Sequence, residues 1–386
     1  MKKLNICFVT EDFYPEFIGG QGVYGYHLVR ELTKLGHPVT VLAEKRGKRE
    51  KFWEGKKNVR LIRVPYCFGN KLMLAILEYI FFLKFCGREN FDITHLNGLS
   101  GLFFTIFKPK NAGKIIVMDH NTNYEMSLHT RSRLKKVIYP WLIHLEKKLF
   151  ERADGILFNN PQEEGNVKKY YRIDQKPTRS VYLGVEMAEF SLAEQRRVRL
   201  RIRRRFGWPD DAKIVLYVGR LVERKRVDTL IKALEYYARK ASPSEPIRTE
   251  LYGVIIGNGP DRSRLEKTAP PNVFFLGWTY EPREYYLAAD LFVTVSEAEG
   301  GFLITALEAA SYGLPLILSP SAAGLPIIKE GISGFIVDPD DSKKLADRIT
   351  KITPKMGRES KQLAKQFNWK KCAGETIRFY QLVEKP

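Results

Sequence analysis

Short apolar runs alternate with stretches of helical periodicity along this chain, and the alternation begins afresh near its middle. The first series reads as strands at residues 4–10, 39–43, 61–64, 93–96, 115–118 and 156–159. The second reads as strands at residues 214–218, 251–256, 273–276, 291–294, 316–319 and 335–337. Strands separated by helices imply parallel sheets, because a parallel neighbour is reached only through a crossover of about a dozen residues or more. A helix predicted over residues 23–35 ends on Gly36, a residue suited to a left-handed cap. The expectation is an α/β chain of two doubly wound domains facing a cleft, with residues 184–192 as an irregular hinge. The last helical stretch, residues 370–383, has no strand to serve and is free to pack back across that hinge.

Composition agrees with two packed cores. The chain has 386 residues, 44% of them hydrophobic, which is long for one core and sufficient for two. Four scattered cysteines, with no CxxC pair and no histidine cluster at metal-ligand spacing, read as reduced thiols in a cytoplasm. No signal peptide is read, since the first apolar run leads into Glu11-Asp12. The most apolar stretch, residues 72–86, contains Glu78 and Lys84 and is too short to span a bilayer. The net charge of +20 favours polyanions: nucleic acid, anionic lipid head groups or phosphorylated small molecules.

The residues that could carry chemistry cluster after strands, where open parallel sheets bind ligands. Gly19 and Gly20 separate the first strand from its helix. They suit either backbone amides approaching a phosphate or a plain tight turn. His120 follows a strand end and is either a substrate contact or a structural histidine. Arg220 and Lys225 flank a strand-to-helix turn opened by Gly219; both could face one diphosphate, or form a solvated basic turn. Gly257-Asn258-Gly259-Pro260 is a permissive loop at the same edge, and Gly277 ends the next strand. The segment from Ser296 to Phe302 precedes a helix predicted over residues 303–312, whose first-turn amides would point into the cleft. Glu299 lies in that segment. Glu308 lies in the helix among Ala306, Leu307, Ala309 and Ala310, and a carboxylate there needs a partner. Two cations for a diphosphate and two carboxylates for hydroxyl groups together suggest a nucleotide-sugar.

Three segments are strongly basic. Residues 196–205 hold seven arginines, read as a helix leading into the second domain. Residues 45–57 interleave Lys and Arg with Phe52 and Trp53. Residues 131–152 carry Leu134, Ile138, Trp141, Leu145 and Leu149 at helical spacing, with lysines elsewhere, as an amphipathic basic helix does. Each is either a core face backed by a solvated face or part of an anion-binding surface.

These pieces, in this order and over nearly the whole chain, resemble glycosyltransferase family 4, retaining enzymes of the GT-B fold with two Rossmann-like domains. Gly19-Gly20 resembles the family's N-terminal glycine loop. Asp92-Ile-Thr-His95 and Asp119-His120 resemble its cleft-lining strand ends. Leu183-Gly184-Val185-Glu186 resembles the interdomain segment, with Leu in place of Asn. Gly219-Arg220-Leu221 through Lys225, and Ala306-Leu307-Glu308-Ala309 with Gly313-Leu314-Pro315, are the specific matches. Phe367-Asn368-Trp369 and the final helix resemble the C-terminal crossover. The resemblance implies an acceptor-side domain at residues 1–184, a donor domain at 185–367, and a crossover helix at 368–386 that packs on the first domain.

It also implies roles. Arg220 and Lys225 hold the donor pyrophosphate, with Gly19, Gly20, Phe302 and Leu303 supplying backbone around it. Glu308 takes the ribose hydroxyls, Gly257, Asn258 and Gly277 lie on the nucleobase side, and His120 touches the transferred sugar. The family's first Glu sits eight residues before its second, and counting back from Glu308 reaches Gly300. Leu303 also stands where the family usually has Gly. Either Gly300-Gly301 forms a one-residue bulge and Glu299 fills the role, or that carboxylate is absent; Glu299 is the reading taken.

The chemistry implied is transfer of a sugar from a UDP- or GDP-sugar to an acceptor hydroxyl with the anomeric configuration retained. Same-face attack would be assisted by the leaving phosphate, whose charge cations and helix dipoles stabilise in place of a metal. No cofactor beyond the nucleotide-sugar co-substrate is expected. The acceptor is expected to be lipid-linked or an envelope glycan, met on an anionic membrane surface through the basic patches of the first domain. The chain would be cytoplasmic, peripheral on the inner face of that membrane, with no nucleic acid as partner. Rival readings are a sugar-nucleotide epimerase or glycoside phosphorylase on the same fold, or a non-catalytic basic binding protein.

Overall fold

The computed structural model describes residues 2–14, 19–45, 58–98, 101–128, 130, 133–241, 251–279, 281–298, 303–322 and 326–384. They fall into two compact units, Met1–Gly184 with Phe367–Pro386, and Val185–Glu299 with Leu303–Gln366.

In the first unit seven parallel strands form one sheet: β1 (Ile6–Thr10), β2 (Val39–Glu44), β3 (Val59–Val64), β4 (Ile93–Asn97), β5 (Lys114–Asp119), β6 (Gly155–Phe158) and β7 (Thr178–Ser180). Their order is β3-β2-β1-β4-β5-β6-β7. The helices are α1 (Gly20–Lys34), α2 (Lys71–Cys86), α3 (Leu102–Phe107), α4 (Asn123–Leu128), α5 (Arg133–Arg152) and α6 (Pro161–Tyr171). Every residue of β1 and β2 is buried, as befits central strands covered on both faces. Strand β7 was not anticipated: three half-exposed residues, Thr-Arg-Ser, at the sheet edge carry no hydrophobic signal. Helix α1 begins at Gly20, three residues earlier than its apolar periodicity suggests.

The second unit holds a six-stranded parallel sheet: β8 (Lys213–Val218), β9 (Leu251–Ile256), β10 (Val273–Gly277), β11 (Leu291–Thr294), β12 (Leu316–Leu318) and β13 (Gly334–Ile336). Its order is β10-β9-β8-β11-β12-β13. The helices are α7 (Leu192–Phe206), α8 (Val227–Ala241), α9 (Arg262–Thr268), α10 (Arg283–Ala288), α11 (Ile304–Ser311), α12 (Ser342–Thr350) and α13 (Pro354–Ala364). The chain is thus α/β with two doubly wound parallel sheets. Among the described residues no helix is long and apolar enough to cross a membrane.

The C-terminal helix α14 (Trp369–Glu384) belongs to the first unit and lies against α1 and β5. Trp369 stacks on His27 with ring centroids 4.6 Å apart. A side chain on Gly155 would strike the Phe379 ring at 2.8 Å, and one on Gly184 would strike the Trp369 backbone nitrogen at 2.3 Å. Both glycines are therefore required for α14 to seat.

Helix α7 shows that residues 196–205 do not all face solvent. Arg203 is 1% exposed. Its guanidinium donates to the Ala212 and Ala288 carbonyls and to Asp290, which also pairs with Arg199 and accepts the Ile214 N–H at 2.8 Å. Two of the seven arginines thus anchor α7 to the start of β8. A buried guanidinium is tolerated because each of its faces finds an acceptor.

At the edge of the second sheet Gly257 adopts φ +142°, and a Cβ there would lie 1.9 Å from the Gly219 carbonyl oxygen. Gly257→Ala should therefore destabilise the fold by roughly 2–4 kcal/mol. Gly165, inside α6 with open space around its Cα, is the control: Gly165→Ala should stabilise by about 0.5–1 kcal/mol through helix propensity. Urea unfolding of both variants checks the pair; equal effects would contradict the packing described.

Candidate active site

Strand order reverses once in each sheet, between β1 and β4 in the first unit and between β8 and β11 in the second. Beside such a switch, neighbouring connections leave to opposite faces and open a crevice outside the carboxyl ends of the strands. Most of the predicted residues that the structure describes fall around these two places.

In the first unit Thr10 and Asn97 are the paired last residues of β1 and β4. The Asn97 Nδ2 donates to Thr10 Oγ1 at 2.9 Å and to the Gln21 carbonyl at 3.2 Å. Its Oδ1 is then left to accept, and His120 Nε2 lies 2.6 Å away. His120 Nε2 therefore carries the proton and Nδ1 is the acceptor of the ring. Burial pushes the His120 pKa down to about 3, so the imidazole is neutral across the physiological range. Tyr24 meets it edge-on at 5.0 Å. Gly19 is the extended N-cap of α1; its N–H donates to Asp12 at 3.2 Å, and α1 starts at Gly20 with no side-chain cap. The first-turn amides of α1 thus lie at the carboxyl edge of β1, beside the Asn97 amide.

Two residues of the first unit lie elsewhere than predicted. Asp92 precedes the amino end of β4, where its carboxylate accepts the Asn5 N–H at 2.7 Å. His95 is fully buried, stacked on Phe8 at 4.8 Å, with Nδ1 2.6 Å from the Tyr380 hydroxyl of α14. Depth decides this: alternation puts His95 on the same sheet face as Asn97, but His95 sits two residues deeper, under α14. Asn97 is the strand-end residue that sequence reasoning missed, and its only signal was position at the end of an apolar run.

Beside His120 lies a buried acidic group. Glu146 on α5 accepts the Asn123 N–H at 2.9 Å, the Asn123 side-chain amide at 3.0 Å and the Tyr171 hydroxyl. Burial lifts its pKa to about 7, and burial with the charge of Glu146 raises Asp119 as well. These bonds fix the start of α4 immediately after His120.

In the second unit Gly219 follows β8, and its N–H donates to the Ile256 carbonyl at 3.0 Å. A side chain there would meet the Tyr217 hydroxyl at 2.8 Å, and that hydroxyl donates to the Arg220 carbonyl at 3.1 Å. The Arg220 guanidinium is exposed and meets no carboxylate among the described residues. The arginines that follow are committed. Arg224 donates to the Ala298 carbonyl at 2.7 Å, and Arg226 binds Glu297 at 2.6 Å and Asp340 at 2.5 Å. They tie the loop after β8 to the loop after β11, across the switch. Lys225 is half-buried in the short turn Glu223–Lys225.

Asn258 and Gly277 complete this edge: the Leu221 N–H donates to the Asn258 carbonyl at 2.9 Å and the Gly257 N–H to the Gly277 carbonyl at 2.8 Å. The Asn258 side chain is exposed, its Oδ1 accepting from Arg262 at 2.8 Å. Leu303 is the buried N-cap of α11, again with no side-chain cap, so the first amides of α11 remain available. Glu308 has the partner its surroundings demand: Oε2 accepts the Tyr286 hydroxyl at 2.9 Å. Burial still lifts its pKa to about 7, with the Tyr286 bond pulling the other way. Glu299 and Phe302 lie outside the described residues, as do residues 46–57 of the basic segment.

The comparisons with known proteins agree with this layout. Residues 18–189 match the model described as Glycosyltransferase Family 4, and residues 198–366 match that of Glycosyl transferases group 1. An uncharacterised glycosyltransferase of Methanocaldococcus jannaschii is 26% identical, with 98% of each chain aligned. Among solved structures, sucrose-phosphate synthase from Thermosynechococcus elongatus superposes with a TM-score of 0.79 at 21% identity, covering 98% of this chain and 99% of the other. Anabaena HepE in complex with UDP-glucose superposes with a TM-score of 0.72 at 17% identity, covering 97% and 99%. The fold is GT-B, and the chain belongs to glycosyltransferase family 4. It is a glycosyltransferase.

The Glu308 environment yields a pH prediction. Its folded-state pKa of about 7 lies above the ordinary carboxylate value. Its contribution to stability is thus full below the ordinary value and is lost as pH rises through about 7. Relative to Glu308→Gln, which stays neutral, the wild type should lose on the order of 2 kcal/mol between about pH 5 and about pH 8. Denaturant unfolding of both proteins across that range checks it; parallel pH profiles would contradict it.

Proposed function

We propose that the chain moves a sugar from a UDP- or GDP-sugar to an acceptor hydroxyl with retention of configuration and without a divalent metal. The observation that carries this reading is Arg220. It is an exposed guanidinium at the switch point of the second sheet, beside two arginines already bound into the fold. A cation left to solvent at such an edge is suited to an anionic ligand, and a diphosphate takes a guanidinium in paired hydrogen bonds. HepE, which shares the fold, is seen in complex with UDP-glucose.

Roles follow for each residue. Arg220 and Lys225 bind the diphosphate, aided by the uncapped amides at Leu303 and the start of α11. Glu308, which already accepts one hydrogen bond from Tyr286, takes ribose hydroxyl donors on its remaining lone pairs. Gly257, Asn258 and Gly277 border the base, and Glu299 contacts the sugar. In the first unit the amides at Gly19 and Gly20 bind phosphate. His120, neutral and with Nδ1 accepting, takes a hydroxyl of the transferred sugar.

In the reaction the acceptor oxygen bonds to the anomeric carbon on the face that the diphosphate leaves. The electron pair of the breaking bond passes to the β-phosphate oxygen, which takes the acceptor's proton. Charge grows on that oxygen, so fixed cations stabilise the transition state more than the ground state. The acceptor in this reading is lipid-linked or an envelope glycan. The chain works in the cytoplasm, peripheral on the inner face of the membrane, where each Lys or Arg near an anionic surface adds about 1 kcal/mol.

Arg220→Ala and Lys225→Ala should each lower kcat/KM for transfer by about 2–4 kcal/mol in activation free energy while the protein stays folded. Activity should survive EDTA. Wild-type turnover in either variant would sink the assignment, and activity lost in EDTA and restored by Mg²⁺ would overturn the metal-free route. Glu299→Gln should lower transfer more than donor binding, whereas Glu308→Gln should weaken binding itself. A silent Glu299→Gln would mean that the first carboxylate of the family is missing here.

A further inference from the structure

Helix α2 is apolar on nearly all sides, a composition expected of a helix enclosed by protein or lipid. Yet Leu72, Met73, Ile76, Ile80 and Leu83 are exposed, between 38% and 48%. On α5, Leu134, Val137, Ile138 and Trp141 are exposed, between 43% and 77%. An apolar groove of about 250 Å³ separates the two helices. Leu72, Ala75 and Leu102 line one side, and Ile138, Trp141 and Leu142 the other. An apolar cavity of roughly 150 Å³ already takes up a benzene molecule, so this groove has room for a stretch of hydrocarbon.

The polar residues of its lining lie toward one end of the fold. Lys71 and Asn123 are the first residues of α2 and α4. Those helices begin after the carboxyl ends of β3 and β5, so both residues stand on the sheet edge that carries His120. Asn123 is held there by Glu146, and Lys71 reaches Glu11 at 3.2 Å. The exposed charges on α2 and α5 are mainly cationic. Arg133, Lys136 and Lys148 of α5 and Lys71 and Lys84 of α2 are exposed, whereas Glu78 and Glu146 are buried and turned inward. Among the described residues of α2 and α5, Glu151 in the last turn of α5 is the one exposed carboxylate. An apolar face rimmed by cations matches an anionic amphiphile, since lipid takes the hydrocarbon side and head groups take the cations.

We infer that the groove between α2 and α5 holds a hydrocarbon chain of a membrane lipid that serves as the acceptor, its anionic head group directed toward Lys71 and Asn123. The inference rests on the lipid-linked acceptor of the proposed function and names the part of the chain that would bind it. It also accounts for the exposed face of α2, which would lie at the boundary between head groups and acyl chains.

The test is titration calorimetry of the full chain with dodecyl phosphate below its micelle concentration. Hexyl phosphate and inorganic phosphate serve as comparisons. A single saturable site should appear for dodecyl phosphate, weaken at least about tenfold for hexyl phosphate, and vanish for inorganic phosphate. Ile138→Glu, at an exposed position, and Leu142→Trp, which fills the groove, should each weaken dodecyl phosphate about tenfold or more. As a check that needs no variant, dodecyl phosphate with a terminal diazirine should label peptides containing residues 72–75 or 138–145. Binding without chain-length dependence, binding unchanged in both variants, or labelling confined to other segments would overturn the groove. None of these readouts uses a nucleotide-sugar. If dodecyl phosphate binds as expected but no sugar is transferred, the groove stands and the transferase reading of the site fails separately.

Discussion

The reversal of strand order at the centre of each sheet is the constraint on which the rest depends. With β1 beside β4 and β8 beside β11, the chain leaves neighbouring strands toward opposite faces, and loops cannot close over the gap. Polar groups then gather where the backbone leaves the sheet. In the first unit the Asn97 amide satisfies three demands at once, those of the Thr10 hydroxyl, the Gln21 carbonyl and the His120 imidazole. In the second unit Arg224 and Arg226 stitch the two switch loops together, and Arg220 is left outward.

This division between committed and uncommitted cations matters more than net charge. A total of +20 says that anions are attracted, not where they bind. Arg203 and Arg199 are used to fasten α7, and Arg226 is held by carboxylates. Setting such residues aside leaves a few places with cations turned to solvent, among them Arg220 and the rim of α2 and α5. The first suits a compact diphosphate, the second a lipid head group. Glu308 shows the complementary device. A carboxylate with one hydrogen-bond donor and a pKa near 7 is only partly compensated, and further hydroxyl donors would stabilise its ionised form.

Much of the architecture was legible because central parallel strands are continuous apolar runs. Strands such as Leu251–Ile256 and Leu291–Thr294 could be read without any partner in view. Strand β7 could not, since an edge strand of three half-exposed residues needs no apolar pattern. At the site, residues beside glycine turns were readable by type, as at Arg220 and Glu308. What sequence could not supply was depth under a covering helix and long-range pairing. His95 and Asn97 are two residues apart on one face of β4, and only the covering helix α14 decides that one is core and the other an edge. The buried Arg203 looked like its neighbours in a run of arginines, because two of its acceptors, Ala288 and Asp290, come from residues far along the chain. Tyr286, the partner of Glu308, was hidden for the same reason.

The central claim is that the second unit binds the diphosphate of a nucleotide-sugar through Arg220, and a thermal-shift comparison tests it most directly. Wild-type protein and Arg220→Ala would be heated with UDP-, GDP- and ADP-sugars in turn, without added metal. A ligand that binds only the native state raises Tm in proportion to its occupancy, by about 2.7 kcal/mol of stability at a hundredfold excess over Kd. The account predicts that a UDP- or GDP-sugar raises the Tm of the wild type and that the shift largely disappears in Arg220→Ala. A wild type indifferent to all three donors, or a shift undiminished by loss of the guanidinium, would contradict it.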